Sequence, residues 1–402
     1  MKILMLTPYL PFPPSSGGQI RSYNLLKQLS KKHEITLFCY IRRNEERKFI
    51  PEFQKYCKKI RVFERRQAWN PLNLILAGAS PYPFLVCIYL SPRFRKAVAE
   101  ELAEGSYDLI HSETFYVMTN IPKTKIPILL VEQTIEYLVY KHYVQSLGNP
   151  ILRWLLSIDV GKLRFWETSF WKKADGVVAV SEADKSQMLK LAPDLEVGLV
   201  PNGVNLDFFK VKKNWDDESP RILFVANFKW LQNVEAAELL LDKVFPIVSE
   251  SVPNSKLWIV GQYIPEKIVN RANGSVIIDN LKEDDEESIK NAYFNSSLFV
   301  SPLRGPGGTR LKHFAAMASN LPLVTTKVGA EGLGATDGVD VIIRDKPSDM
   351  ATESVRLLKN PESMQLMAEK ARMLVSQKFS WEKISQRLDK LYVKTAAIDN
   401  NS

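Results

Sequence analysis

A chain of 402 residues is longer than one compact core usually fills and suits two domains of about 200 residues each. A composition of 45% hydrophobic and 25% charged residues excludes disordered and collagen-like chains, and three cysteines without a C-x-x-C pair (Cys39, Cys57, Cys87) exclude a disulfide framework or a cysteine zinc site. The net charge of +9 is lopsided: residues 1–200 hold 28 Lys and Arg against 19 Asp and Glu, and the remainder holds 26 of each.

In chain order, apolar residues 2–6 read as a buried first strand rather than a secretion signal, because the run is short and Pro8, Pro11, Pro13 and Pro14 follow at once. Two glycines, Gly17 and Gly18, then open a helix over 17–30. Strands are expected at 34–40, 109–111, 128–132 and 176–181. The basic run 31–66 precedes an uncharged stretch, 69–90. That stretch is long enough to cross a bilayer, but Asn70, Pro71, Asn73, Ser80, Pro81 and Pro83 interrupt it. It reads as a hydrophobic helix and loop that touches lipid. Together the two segments suit an anionic membrane surface, although a basic run is also an ordinary solvated helix face.

The turn Pro201-Asn202-Gly203-Val204 marks a break, and the polar stretch 210–220 reads as a linker or loop. The same rhythm then restarts, with strands at 221–226, 256–261, 276–279, 297–300, 323–325 and 341–343 and helices at 233–241 and 310–319. A final helix opens at Ser380-Trp381-Glu382, and the tail 395–402 is polar. Alternating strands and helices in both halves imply an α/β fold built from two doubly wound parallel sheets. The domains are 1–204 and 205–379, followed by a helix over 380–396. In such sheets ligands bind outside the carboxyl ends of the strands, so the loops there hold the candidate site residues.

Two loops stand out. Gly17 and Gly18 let backbone approach a ligand closely and leave helix N–H groups free for an anion, although glycine pairs also cap helices. The second loop, Gly305-Pro306-Gly307-Gly308-Thr309-Arg310-Leu311-Lys312, joins a strand end, glycines and a helix start with the cations Arg304, Arg310 and Lys312. This is a diphosphate cradle in kind, the alternative being a tight turn with solvated cations. His111 ends a strand after Asp108-Leu109-Ile110. A lone histidine there is either structural or functional.

These motifs resemble the group-1 glycosyltransferases (family 4, GT-B fold). The resemblance rests on Val180-Ser181-Glu182, Pro201-Asn202-Gly203-Val204-Asn205 and Gly307-Gly308-Thr309-Arg310-Leu311-Lys312 with Ala316-Met317-Ala318. Val328-Gly329-Ala330-Glu331-Gly332-Leu333 and Phe379-Ser380-Trp381-Glu382 complete it, in order along nearly the whole chain. It implies two Rossmann-like domains facing across a cleft, the first on the acceptor side and the second binding the donor, with the last helix returning to the first domain. It also implies retaining transfer of a hexose from a UDP-sugar or GDP-sugar to a hydroxyl of a glycan or lipid-linked glycan, as in polysaccharide or cell-surface glycan synthesis. Such an enzyme needs no metal and no cofactor. It would be cytoplasmic or peripheral at the inner membrane face, and no nucleic-acid motif accompanies its basic first half.

The resemblance and the loop readings together assign His111, Arg310 and Lys312 to catalysis. The donor would meet Gly17, Gly18, Asn227, Lys229, Asn233, Arg304, Gly307, Gly308, Thr309, Leu311, Ala315, Glu331 and Gly332, and the acceptor Gln133 and Glu136. The sequence departs from the family at several of these positions. Gly307 and Ala315 stand where relatives carry glutamates, Asn227 and Asn233 where they carry Arg and Lys, and Gln133 where they carry His. Ala315 cannot bond a ribose through its side chain. A non-catalytic nucleotide-sugar or glycan binder of the same fold is therefore the alternative.

Overall fold

The computed structural model describes residues 1–215, 217–282, 285–305 and 311–398. The chain divides into two units, Met1–Pro201 together with Ile384–Ser402, and Asn202–Lys383.

The first unit is built on a seven-stranded sheet in the order β3-β2-β1-β4-β5-β6-β7. Its strands are β1 Lys2–Thr7, β2 Glu34–Ile41, β3 Lys59–Glu64, β4 Leu109–Glu113, β5 Ile128–Glu132, β6 Gly176–Ala179 and β7 Val197–Leu199. The second unit has six strands in the order β10-β9-β8-β11-β12-β13. These are β8 Arg221–Asn227, β9 Lys256–Gln262, β10 Val276–Asn280, β11 Leu298–Ser301, β12 Leu323–Thr325 and β13 Ile342–Ile343. Every strand pairing within these two sheets is parallel. Near-continuous burial along β1, β2, β4, β5 and β11 fits strands covered on both faces, which is why those segments are apolar runs rather than alternating ones.

Two strands escaped the sequence pattern, and both lie at sheet edges. β3 carries Lys59 and Arg61, charges that an edge strand tolerates and that discourage pairing with another chain. β7 has only three residues. The stretch 69–90 forms two short helices, Pro71–Ala79 and Phe84–Tyr89, started by the Asn70 side chain and by Pro83 respectively. Among the described residues no helix is long and apolar enough to cross a membrane. The sequence reading also missed a 24-residue helix, Pro150–Lys173. Asn149 caps it by accepting from the N–H groups of Ile151 and Leu152, and Pro150 occupies its first turn.

Strand order reverses between β1 and β4 in the first sheet and between β8 and β11 in the second. At each reversal the flanking helices depart to opposite faces and open a crevice at the carboxyl ends of the strands. Gly17, Gly18, His111 and Gln133 collect at the first of these points, and Asn227, Lys229, Asn233 and Lys312 at the second.

Candidate functional site

In the first unit, the switch point is lined by Tyr9 beyond β1, the glycines that open the Gly17–Leu29 helix, the last residues of β4, and Gln133 beyond β5. A Cβ built on Gly18 would come within 2.6 Å of both the Gln133 amide oxygen and the Tyr9 hydroxyl. A side chain at this position would make both of those groups shift. Gln133 Nε2 donates to Tyr9 Oη at 2.7 Å and to Glu113 Oε1 at 2.5 Å. His111 and Glu113 are two apart on a strand and therefore share a face.

His111 Nε2 donates to Glu113 Oε2 at 2.6 Å, and Nδ1 pairs with the Tyr392 hydroxyl from the last helix, Trp381–Ala396. The ring is fully buried with both nitrogens engaged. Arg21 Nε stands 3.7 Å from Glu113 Oε1, and Arg21 Nη1 donates to the Pro201 carbonyl at 2.9 Å. Burial alone would push the Glu113 carboxyl up. His111, Arg21 and the Gln133 amide overcome that and hold it below the usual carboxylate range. The sequence reading named Gly17, Gly18, His111 and Gln133 but missed Tyr9, Arg21, Glu113 and Tyr392. The His-x-Glu spacing on a strand was the available signal for Glu113.

Glu136 lies in a second cluster. Glu167 accepts from the N–H groups of Glu136 at 2.8 Å and Tyr137 at 3.1 Å, an anion at a helix start. Glu132 accepts from Trp171 Nε1 at 3.0 Å. Burial pushes the Glu136 carboxyl up to about 7 and raises Glu132 and Glu167 well above their ordinary value. Three carboxyls sharing one apolar pocket resist ionising together.

In the second unit, Asn227 ends β8 and Asn233 lies on the Leu231–Leu239 helix that follows. Asn233 Nδ2 donates to the Asn227 carbonyl at 2.7 Å, and its Oδ1 accepts from Lys312 Nζ at 2.7 Å. Lys312 Nζ also sits 4.8 Å from the Phe224 ring centroid. Asn227 Nδ2 donates to Gln262 Oε1 at 3.0 Å, and Asn227 Oδ1 accepts from the Lys229 N–H at 3.1 Å. The Lys229 ammonium lies 3.6 Å over the Tyr263 ring. Tyr263 has φ +60, a left-handed conformation that a bulky residue adopts only where its surroundings impose it. Four residues named from sequence (Asn227, Lys229, Asn233, Lys312) thus meet at the ends of β8 and β9 and at the helix after β11. Gln262 and Tyr263 were not foreseen.

Leu311 begins the Leu311–Ala318 helix. Gly307, Gly308, Thr309 and Arg310 lie outside the described residues, and Arg304 is exposed just beyond β11. Ala315 is buried, and its carbonyl already accepts from the Ser319 N–H and hydroxyl at 2.9 and 2.8 Å. His313 Nδ1 donates to the Gly329 carbonyl at 2.8 Å, tying this helix to the turn that precedes Glu331. Glu331 is exposed, and Gly332 has φ +77, which suits glycine. Among the described residues no three of His, Cys, Asp and Glu gather as a metal ion would require.

Comparison with known proteins matches these two units separately. A family model described as Glycosyltransferase Family 4 matches residues 15–208, and one described as Glycosyl transferases group 1 matches residues 219–360. The chain is 22% identical over 399 residues to an uncharacterized 44.6 kDa protein in the cps region of Klebsiella pneumoniae, covering 95% of this chain and 97% of that one. It is 20% identical over 332 residues to alpha-monoglucosyldiacylglycerol synthase of Acholeplasma laidlawii, covering 77% and 80%. Among solved structures, sucrose-phosphate synthase from Thermosynechococcus elongatus superposes with a TM-score of 0.73 at 18% identity, covering 99% of this chain and 100% of that one. At that identity the likeness is one of fold.

Proposed function

The chain belongs to the group-1 glycosyltransferases of the family-4 type, with the GT-B fold, and on that premise we propose that it moves a hexose, with retention, from a UDP-sugar or GDP-sugar to a hydroxyl of a glycan or lipid-linked glycan. The observation that carries the donor side is the Lys312–Asn233–Asn227 chain at the second switch point. It fixes an ammonium group at the start of a helix, where backbone N–H groups and the helix dipole already favour phosphate. Lys312 and Arg310, with the N–H groups of Gly308 and Thr309, would stabilise the departing diphosphate, and Lys229 would add charge nearby.

In the proposed reaction the bond between the sugar's anomeric carbon and the diphosphate oxygen breaks. The acceptor hydroxyl oxygen forms the new bond on the same face, and its proton passes to the leaving diphosphate. Neither a metal nor a cofactor enters this scheme. His111, with both nitrogens engaged inside the first unit, is given a positioning role here, holding Glu113 and Tyr392 in place. Gln133 and Glu136 stay on the acceptor side, and Glu331 faces donor hydroxyls. A cytoplasmic enzyme working at the inner membrane face fits a lipid-linked acceptor, and the glycolipid in the name of one relative, monoglucosyldiacylglycerol, accords with it. Incubation with a panel of UDP- and GDP-sugars, following nucleoside diphosphate release, tests the reading. At least one donor should turn over, and Lys312→Ala should slow it at sub-saturating donor.

The second reading, a binder without turnover, is favoured by Ala315, a buried residue whose methyl cannot bond a ribose, together with Gln133, Asn227 and Asn233. It predicts that UDP or GDP binds while no donor turns over, and that Ala315→Glu restores turnover. Turnover by the unaltered chain removes it.

A further inference from the structure

The first half of the Pro150–Lys173 helix is exposed on nearly every side. Five of its exposed large apolar residues, Ile151, Trp154, Leu155, Ile158 and Phe165, nevertheless fall within about 100° of one another on one side of the helix, with exposed Leu152 beside them. Ile151 is 70% and Trp154 66% exposed, which is unusual for such side chains in a folded unit. The Pro71–Ala79 helix is fixed beside it. Lys162 Nζ donates to the Ala77 and Ser80 carbonyls at 2.7 and 2.9 Å, Trp166 Nε1 donates to the Pro81 carbonyl at 2.9 Å, and Asp159 accepts from the Phe84 N–H at 3.0 Å. That second helix adds exposed Leu72, Leu74 and Ile75, with Trp69 at its approach. Both segments thus carry exposed apolar side chains, each with a tryptophan among or beside them.

Charge decides what covers them. On the Pro71–Ala79, Glu136–Ser146 and Pro150–Lys173 helices the exposed charged side chains are Lys141, Arg153, Arg164, Lys172 and Lys173, all cationic. The carboxylates of these helices are turned inward: Glu167 is buried, Asp159 binds the Phe84 N–H, and Glu136 is half-buried. An apolar stripe with tryptophans, flanked only by cations, matches the headgroup region of an anionic bilayer. In the basic run 31–66, by contrast, several cations already have partners within the first unit. Lys32 pairs with Asp389, Lys55 with Glu52, Lys58 with Glu34 and Lys59 with Glu101, while Arg66 bonds Asn73 and the Cys87 carbonyl.

We infer that the first unit docks on an anionic lipid surface through the exposed stripe of the Pro150–Lys173 helix and the Pro71–Ala79 helix. The inference deepens the proposed lipid-linked acceptor, but its readout is vesicle binding rather than sugar transfer, so either can fail alone. The full chain is sedimented with vesicles of phosphatidylcholine and of phosphatidylcholine with phosphatidylglycerol. It should pellet with the anionic vesicles at least about tenfold more readily, and about 0.5 M salt should weaken this. Trp154→Glu with Ile158→Glu, both at exposed positions, should lose at least about tenfold in binding while keeping the wild-type unfolding temperature and donor turnover. Lys141→Glu with Arg164→Glu should lose about fivefold or more per charge and most of the salt dependence. Equal pelleting on both vesicle types, or wild-type binding by the Trp154/Ile158 variant, overturns the inference. So does a concentration-dependent dimer, seen by sedimentation velocity, that this variant breaks while vesicles stay unbound.

Discussion

Replacing Glu113 with Gln perturbs the most heavily committed side chain of the first unit. Its carboxylate is fully buried and accepts from His111 at 2.6 Å and Gln133 at 2.5 Å, with the buried Arg21 guanidinium 3.7 Å away. The amide removes the countercharge of Arg21 and aims an NH₂ group at donors that need an acceptor. Breaking one partner of a buried pair costs about 3–5 kcal/mol, because the other charge stays buried and uncompensated. For a unit of this size that is a fall of about 6–20 °C in its unfolding temperature. Calorimetric unfolding of the full chain, resolving the transition of the first unit, reads it. The carboxyl is held below its ordinary value in the fold. Its contribution is therefore present above about pH 4.5 and lost as pH falls through the lowered folded value, so the gap between variant and wild type narrows in acid. Arg21→Met added to Glu113→Gln should cost less than the sum of the two single changes. An unfolding temperature within about 1 °C of wild type at neutral pH would show that the Glu113 charge does not compensate Arg21.

Three further outcomes follow from the same geometry. Glu136 is raised by burial to about 7, so its contribution to stability is full below about pH 4.5 and lost as pH rises through about 7. Discounted for its partial exposure, Glu136→Gln should stabilise the first unit by about 1–2 kcal/mol at pH 8 and by nothing measurable near pH 4, read by urea unfolding at both values. In the second unit, a Cβ on Gly261 would stand 1.8 Å from the Ala226 carbonyl oxygen, a backbone atom that cannot move without disturbing the β8–β9 pairing. Gly261→Ala should cost about 3 kcal/mol or more, seen as a lower unfolding temperature of that unit. Tyr392→Phe removes the hydroxyl that pairs with His111, leaving a buried imidazole nitrogen unsatisfied, and should cost about 1–3 kcal/mol with the His111 ring resonances shifted in NMR spectra.

The parts of the fold written as continuous apolar runs, such as Ile3-Leu4-Met5-Leu6 and Leu298-Phe299-Val300, were legible because burial on both faces leaves no alternation to misread. β3 was not, because an edge strand keeps its charges, and Lys-Ile-Arg-Val-Phe-Glu reads equally as a helix face. The Pro150–Lys173 helix was missed although Asn149-Pro150 is a good start signal. Its outward apolar stripe imitates a core, and the basic run elsewhere drew the membrane reading away from it. In the site, glycines, cations and a strand end marked Lys312, and the family resemblance supplied Asn227 and Asn233, before their hydrogen bonds were known. Arg21, Glu113 and Tyr392 come from three distant segments, and their network is a property of the folded sheet. No local pattern joins residues 21, 113 and 392.

The diphosphate site proposed at the second switch point is built on Lys312, which Asn233 and Asn227 hold in place. Calorimetric titration of UDP and GDP into the wild type and Lys312→Ala tests it most directly. For whichever nucleotide binds, the variant should bind about 10- to 100-fold more weakly, the value of a charge-assisted contact, with the fold intact. Equal affinity in the two proteins would contradict the account.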